Sequence, residues 1–191
     1  SRRRFRDSIQ RAANVPPFDY FIDRYPGNDA NQGSLFSPWQ TLAPLNALSS
    51  GTAAGKAVAL LGGTWREQLT LPGINMRVRG IGNIPSIIRG DDPVIGFTLA
   101  AGIVYTAALA TSRKQVFVGN ARATKASSLA AITDKQWWWA GGVLSYASAA
   151  GNPDTIGLVI EASVRSASID TNAKDGWDLD SLVLLRSNAD E

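Results

Sequence analysis

Short apolar runs that end at or next to a glycine or proline constrain the fold of this chain more than any other feature. Four runs of five to seven residues follow one another between residues 57 and 90, with no helical pattern between them. Runs of this length suit strands, and their succession favours stacked coils over alternating strand and helix units. The sequence therefore predicts an all-β fold. The runs are AVALLGG (57–63), REQLTL (66–71), MRVRG (76–80) and SIIRG (86–90).

A second block of strand-like runs, between residues 91 and 165, is interrupted by residue pairs that are typical of turns in antiparallel hairpins. Gly119-Asn120 and Gly141-Gly142 each separate two apolar runs. Residue pairs of this kind are typical of tight hairpin turns because they accept a positive φ. This block therefore predicts a small antiparallel sheet. Its runs are TLAAGIVYTAAL (98–109), QVFVGNARATKA (115–126), WWWAGGVLSYA (137–147) and TIGLVIEASV (155–164).

The residue inventory excludes most familiar catalytic sites. The chain has 191 residues, 45% of them hydrophobic, and contains no cysteine and no histidine. Disulfides, zinc sites, thiol nucleophiles and Ser-His-Asp triads are therefore absent. Carboxylates acting with lysine or arginine, with or without a hard cation held by oxygen ligands, are what remains for catalysis.

The N-terminal residues 1 to 14 predict a short amphipathic helix that stops before Pro16-Pro17. Phe5, Ile9 and Ala12 fall at helical spacing, but this stripe is too thin to stabilise a helix without a partner. A solvated tail is the alternative. Five arginines crowd this segment, and the remaining chain is nearly neutral, without the basic and aromatic interleaving of nucleic-acid sites. We expect no nucleic-acid partner and, with no long apolar run, no membrane insertion.

The segment before the four runs predicts one strand, one polar loop and one helix. FDYFID (18–23) has the composition of a strand, and YPGNDANQG (25–33) that of a tight loop. The Ala- and Leu-rich stretch that reaches Leu48 predicts a single short helix, capped at its end by Ser49, Ser50 and Gly51.

These segments together resemble the opening of the pectate-lyase-like right-handed parallel β-helix families. The resemblance implies a cap and first rungs over residues 18–92, a small antiparallel β insertion over 93–165, and a return to the rungs over 166–191. Residues 1–17 resemble the linker helix before the ectodomain of bacteriophage tail-fibre and tailspike proteins. The matching motifs are a strand ending at Asp23, GNDANQG (27–33), PWQTL (38–42), AVALLGGTWREQLTLP (57–72) and VRGIGNIPSIIRGDD (78–92).

The resemblance implies the proximal part of a phage tail-fibre or tailspike-type protein that attaches to host-surface polysaccharide. It implies a homotrimer, located in a virion tail or outside cells, with other tail or baseplate proteins as partners. This segment would be structural, because the active groove of β-helix lyases is built on later rungs. The alternatives are the N-terminal fragment of a secreted bacterial polysaccharide lyase or hydrolase, and a carbohydrate-binding module.

Four oxygen-bearing side chains near the first strand are candidates for a Ca²⁺ site, the one cofactor that the sequence suggests. Their close spacing and the neighbouring glycines suit an oxygen cage. The alternative, which the sequence favours, is a loop in which these side chains bind their own backbone, since the spacing is not that of a defined calcium loop. The candidates are Asp23, Asn28, Asp29 and Asn31.

Aromatic and acidic residues supply the other candidate contacts. On a strand, Trp137 and Trp139 share one face and Trp138 takes the other, so one face is core and the other could contact sugar or a subunit.

Trp65 with Glu67 could form a platform on which a sugar ring stacks, although burial of Trp65 is favoured. A group of aspartates around Trp177 is expected to be a solvated turn, and its members are Asp170, Asp175, Asp178 and Asp180.

Overall fold

The computed structural model describes residues 17–110 and 115–187, so the predicted helix over residues 1–14 lies outside the described residues. These residues divide into two units. The first unit comprises residues 17–89 together with Ser168–Leu185, and the second comprises Gly90–Ala167 together with residues 186 and 187. Short strands dominate both units, so the predicted all-β class is confirmed. None of the sheets among the described residues closes on itself.

The first unit combines two four-residue helices with strands of two to four residues. The predicted short helix before Leu48 is present at Ala43–Asn46, but the prediction that Ser49, Ser50 and Gly51 cap its end was wrong. Ser49 instead begins a second helix, and its side-chain oxygen accepts a hydrogen bond from the Thr52 amide. The elements are β1 (Tyr20–Ile22), α1 (Ala43–Asn46), α2 (Ser50–Ala53), β2 (Ala57–Leu60), β3 (Gly63–Trp65), β4 (Leu69–Thr70), β5 (Arg77–Gly80), β6 (Ser86–Arg89), β16 (Ile169–Asp170), β17 (Asp178–Asp180) and β18 (Leu182–Leu185).

All strand pairs of the first unit are parallel. One sheet has the order β1-β2-β5-β17, in which Val58 of β2, Val78 of β5 and Leu179 of β17 occupy one register row. A second has the order β3-β6-β18, and a third pairs β4 with β16. The runs at 57–63 and 76–80 and the segment after Arg165 thus pair in parallel, as expected for the stacked coils that the sequence favours.

Two hydrophobic clusters lie in the first unit: a small one formed by Phe21, Leu35 and Ala59, and a larger main core. The main core joins the inward side chains of the sheets to those of α1 and the loop before it, and these side chains are buried from solvent. Burial of this kind is the main stabilising contribution to a small domain. The buried members of the main core are Ile22, Trp39, Leu42, Leu45, Ala53, Val58, Leu60, Trp65, Leu69, Leu71, Met76, Val78 and Ile88.

The second unit consists of two mainly antiparallel sheets around its own core. The predicted turns at Gly119-Asn120 and Gly141-Gly142 join β10 to β11 and β13 to β14, and all three glycines have positive φ. The strand orders are β11-β10-β15-β7 and β12-β13-β14-β9-β8. The strands are β7 (Asp91–Val94), β8 (Thr98–Ala101), β9 (Val104–Ala108), β10 (Val116–Val118), β11 (Ala121–Arg122), β12 (Thr124–Lys125), β13 (Gln136–Ala140), β14 (Val143–Ala147) and β15 (Ile160–Ser163).

The predicted strand run at 98–109 is two strands, β8 and β9, joined at a turn where Gly102 has a φ of +55°. Glycine adopts this conformation at little steric cost, so the chain reverses there. Within the described residues, no helix is long and apolar enough to cross a membrane.

Candidate functional site

Three of the four candidate calcium ligands accept hydrogen bonds with their side-chain oxygens, in or beside the loop that follows β1. Asp23 accepts a hydrogen bond from the Tyr25 amide, and Asn28 accepts one from the Ala30 amide. Asp29 accepts the amides of Gln40 and Thr41 as well as the Thr41 hydroxyl, at 2.6–2.9 Å. These bonds fasten the loop to the segment that begins α1.

Asn31 and Gly33 hold the same loop against Trp39. The Asn31 amide group donates to the Pro38 carbonyl oxygen, and the Trp39 indole donates to the Asn31 carbonyl oxygen at 2.8 Å. Gly33 has a φ of +75°, and a Cβ there would lie 2.7 Å from the Trp39 ring. Among the residues that the structure describes, no three acidic side chains come together as a metal site. The GNDANQG and PWQTL motifs thus form one hydrogen-bonded loop.

The Asp29 carboxylate should make the stability of the first unit depend on acid. Burial alone would raise the pKa of Asp29, but the hydrogen bonds from Thr41 and Gln40 and the charge of Arg24 outweigh it and lower the pKa below its ordinary value. A carboxyl group with a lowered folded-state pKa stabilises the fold above its unfolded pKa, and this contribution is lost as pH falls through the folded pKa.

We therefore expect Asp29→Asn to lower the free energy of unfolding by about 1 to 2 kcal/mol at pH 7, like the loss of a helix cap. The difference from the parent chain should shrink as pH falls below about 4. Urea unfolding at pH 7, 5 and 3 measures both effects. Asp175→Asn is the control, since the Asp175 side chain forms no hydrogen bond or ion pair with any described residue. A difference that stays constant over this pH range contradicts the role of the Asp29 charge.

The three consecutive tryptophans divide between core and surface as alternation on β13 requires. Trp137 is buried, and Trp139 packs against the same core. Their indole N–H groups donate to the carbonyl oxygens of Ala123 and Leu109. Trp138 is half-buried and its ring centroid lies 5.5 Å from the Lys125 ammonium group. Trp139 is half-buried as well, so Trp138 is distinguished from it by lying outside the core cluster and not by its exposure.

Trp65 and Glu67 have structural contacts in the first unit. Trp65 is completely buried, and its indole N–H donates to the Gln40 carbonyl oxygen at 3.0 Å. Glu67 accepts the Leu42 amide at 2.8 Å, at the start of α1. A buried ring cannot stack on a sugar, so the Trp65 platform was a wrong alternative and the favoured burial is confirmed.

The aspartates near Trp177 do not form the single solvated turn that was expected, because Asp178 and Asp180 lie on β17. Asp170 accepts the Asn172 amide, whereas Asp180 lies on β17 and forms an ion pair with Arg79 of the neighbouring strand at 2.6 Å. Asp178 and Asp180 border a small cavity of about 50 Å³ with Arg77 and Arg79. Carboxylates and arginines therefore alternate along the edge formed by β5 and β17.

The second unit contains a cavity that we call the insertion cleft. Its volume is about 420 Å³, within the ~300–1,000 Å³ typical of small-molecule pockets. Aliphatic side chains form much of its wall, and Arg122, Asp134 and Lys135 bring charge to it. The full lining is Val118, Ala121, Arg122, Ala123, Thr124, Asp134, Lys135, Tyr146, Ser148, Ala150, Ile156 and Leu158.

Two buried hydroxyl groups belong to this cleft. Tyr146 is 2% exposed and Ser148 is also buried, and neither side chain hydrogen bonds to any group in the part of the chain that the structure describes. Burial, together with the negative charge of Asp134, raises the pKa of Tyr146. The phenol therefore stays protonated at neutral pH and can donate a hydrogen bond.

The sequence did not indicate the insertion cleft. Tyr146 and Leu144 lie two residues apart on β14 and therefore share one face, which is also the pattern of plain core packing. Asp134-Lys135 has the composition of an ordinary turn. A feature that does set the turn apart is the φ of +64° at Lys135, but this value follows from the folded backbone.

Comparison with known proteins gives a likeness of fold. No family model matches the chain, and no curated protein matches it. A solved complex of XylC with xylose is similar at a TM-score of 0.72, with 11% sequence identity, over 89% of this chain. This chain spans 35% of the length of that XylC chain. A second solved structure, a glycoside hydrolase, has a TM-score of 0.44 and 11% identity, over 77% of this chain and 39% of that chain.

Proposed function

We propose that this chain is the opening part of a right-handed parallel β-helix protein that attaches to cell-surface polysaccharide, of the tail-fibre or tailspike type. In this proposal the first unit is structural. The observation that carries the proposal is the recurring order of the parallel strands in the first unit.

The strand order fits successive turns of one coil. The chain passes through β2, β3 and β4, then β5, β6 and β16 pair with them in the same order, and β17 and β18 pair with β5 and β6. Each pass adds one strand to a sheet, which is how stacked coils grow. The second unit lies in the sequence between β6 and β16, as an insertion into the second turn.

The proposal that the chain binds polysaccharide is supported by the chemistry of the insertion cleft and by the similarity of fold to the XylC structure. The insertion cleft combines aliphatic wall with hydroxyl, carboxylate and ammonium groups, which suits a ligand rich in hydroxyls. The similar XylC structure was solved with xylose. For this chain, sugar binding is a proposal that rests on the cleft.

The second candidate function is that of a secreted polysaccharide lyase or hydrolase, of which this chain would be the N-terminal fragment. The edge formed by β5 and β17 favours it, because Asp178 and Asp180 lie beside Arg77 and Arg79. Carboxylates with arginine are among the residue types left for catalysis in a chain without histidine or cysteine.

We expect the chain to be retained by at least one cell-surface polysaccharide in affinity electrophoresis and to release no sugar from it. A panel of acidic and neutral polysaccharides, assayed for reducing ends and unsaturated products, tests both parts. Light scattering of the same sample should give a trimer. Retention by none of the panel would overturn the proposal. Turnover that Asp178→Asn abolishes and Asp175→Asn preserves would establish the second candidate instead.

A further inference from the structure

We infer that the insertion cleft is a binding subsite for a neutral sugar residue or short neutral saccharide. This inference deepens the proposed function and rests on it. It stands on three features of the second unit: an aliphatic wall, two buried hydroxyls without a partner in the described residues, and a carboxylate with lone pairs left for ligand hydroxyls.

The aliphatic wall matches the C–H face of a sugar ring. Val118 and Leu158 are partly buried side chains of the unit's core that reach the cleft, and Ile156 beside them is 44% exposed. A large aliphatic side chain exposed at the mouth of a pocket is a surface that a ligand can cover. Pyranose and furanose rings present such an apolar face together with hydroxyls at their edge.

The hydroxyls of Tyr146 and Ser148 are the strongest sign that a ligand belongs here. A buried polar group without a hydrogen bond is costly, so most such groups in folded proteins have a partner. Both hydroxyls lack a partner among the described residues, and both side chains line the cleft. A sugar hydroxyl can donate and accept, so it can satisfy either group.

The cleft is lined by two cations, Arg122 and Lys135, and one carboxylate, Asp134, and it is the carboxylate that favours a ligand with hydroxyl groups. The Asp134 carboxylate accepts the Ala149 amide at 2.8 Å with one oxygen, which leaves lone pairs for sugar hydroxyls. Lys135 follows it and brings one positive charge that offsets the carboxylate. Arg122 already has a further interaction within the protein. A ligand carboxylate would also meet the charge of Asp134.

The test titrates the full chain with xylobiose, cellobiose, maltose, lactose and digalacturonate, followed by NMR chemical shifts. We expect a neutral disaccharide to bind, and Tyr146→Phe to weaken that binding roughly five- to tenfold, as expected for one lost hydrogen bond. Tyr105→Phe is the matched control, because Tyr105 pairs with Tyr146 across β9 and β14 but does not line the cleft. It should leave binding unchanged.

Tyr146→Phe should also leave the unfolding midpoint unchanged or raise it, since the hydroxyl has no partner in the described protein to lose. Ile156→Gln, at an exposed position, is a second variant that should weaken binding. Binding of digalacturonate alone, or equal binding by the parent, Tyr146→Phe and Ile156→Gln, would overturn the inference. If no disaccharide binds while polysaccharide retention persists, the cleft assignment fails alone. If retention is also absent, the proposed function fails with it.

Discussion

Replacing Arg186 with methionine is expected to destabilise the second unit by about 3 to 5 kcal/mol, the cost of breaking a buried ion pair from one side. Arg186 is 11% exposed, and its guanidinium group contacts the carboxylates of Asp91 and Glu161, which are themselves buried. Removing the cation would leave two carboxylates with less compensation in a medium of low dielectric constant.

The geometry around Arg186 explains why no other side chain replaces it well. Its second nitrogen donates to the Gly119 carbonyl oxygen at 3.0 Å, and its guanidinium carbon lies 4.4 Å from the centroid of the Phe117 ring. The planar fork of arginine serves several acceptors at once, whereas a lysine is a point charge. Arg186→Lys should therefore recover only part of the loss.

Arg165→Met is the matched control for this prediction. Arg165 forms a two-pronged ion pair with Asp92 at 3.0 and 3.1 Å in the same unit, but Asp92 is substantially exposed. Exposed pairs contribute about 0 to 1 kcal/mol. Urea unfolding gives the free energies, and hydrogen exchange at the amides of β10 and β15 assigns the loss to the second unit. Equal losses in the two variants would contradict the role of burial.

The sequence alone could not predict that Arg186 forms buried ion pairs whereas Arg165 forms an exposed one. The hairpin turns at Gly119-Asn120 and Gly141-Gly142 were predicted because each joins strands that are adjacent in the sequence, and local φ preferences decide such turns. Arg186 and Asp91 are separated by 95 residues. No local pattern links them, so an arginine near the end of a strand run gave no sign of a buried ion cluster.

In the candidate sites, too, the local patterns were predictable from the sequence and the contacts between separate motifs were not. Strand alternation correctly placed Trp137 and Trp139 on one face and Trp138 on the other. Composition could not distinguish a calcium site from a loop held by hydrogen bonds to Asp29, because the same side-chain oxygens would bind the ion in one case and accept the hydrogen bonds in the other. The difference lies in which amides those oxygens accept, and the amides of Gln40 and Thr41 come from a separate motif.

Trp65→Ala is expected to lower the free energy of unfolding of the first unit by about 3 to 5 kcal/mol, as for other buried aromatic truncations. The Trp65 side chain is completely buried in the core with Leu42, Leu69 and Ile88. Its loss would leave a cavity and also deprive the Gln40 carbonyl oxygen of the indole N–H. A typical domain is stable by only about 5 to 15 kcal/mol, so this one change removes a large share of that margin.

Two further variants separate packing from any surface role of tryptophan in the first unit. Trp65→Phe keeps an aromatic ring but removes the indole N–H, so its loss of stability should be intermediate. Trp177→Ala removes a ring that is 42% exposed and should change the unfolding free energy by about 0.5 kcal/mol or less. Comparable losses for Trp65→Ala and Trp177→Ala in urea unfolding would mean that Trp65 does not anchor the core. We expect the loss of unfolding free energy to be largest for Trp65→Ala. Since Trp65→Ala and Trp177→Ala delete the same kind of side chain, a difference between them reflects burial.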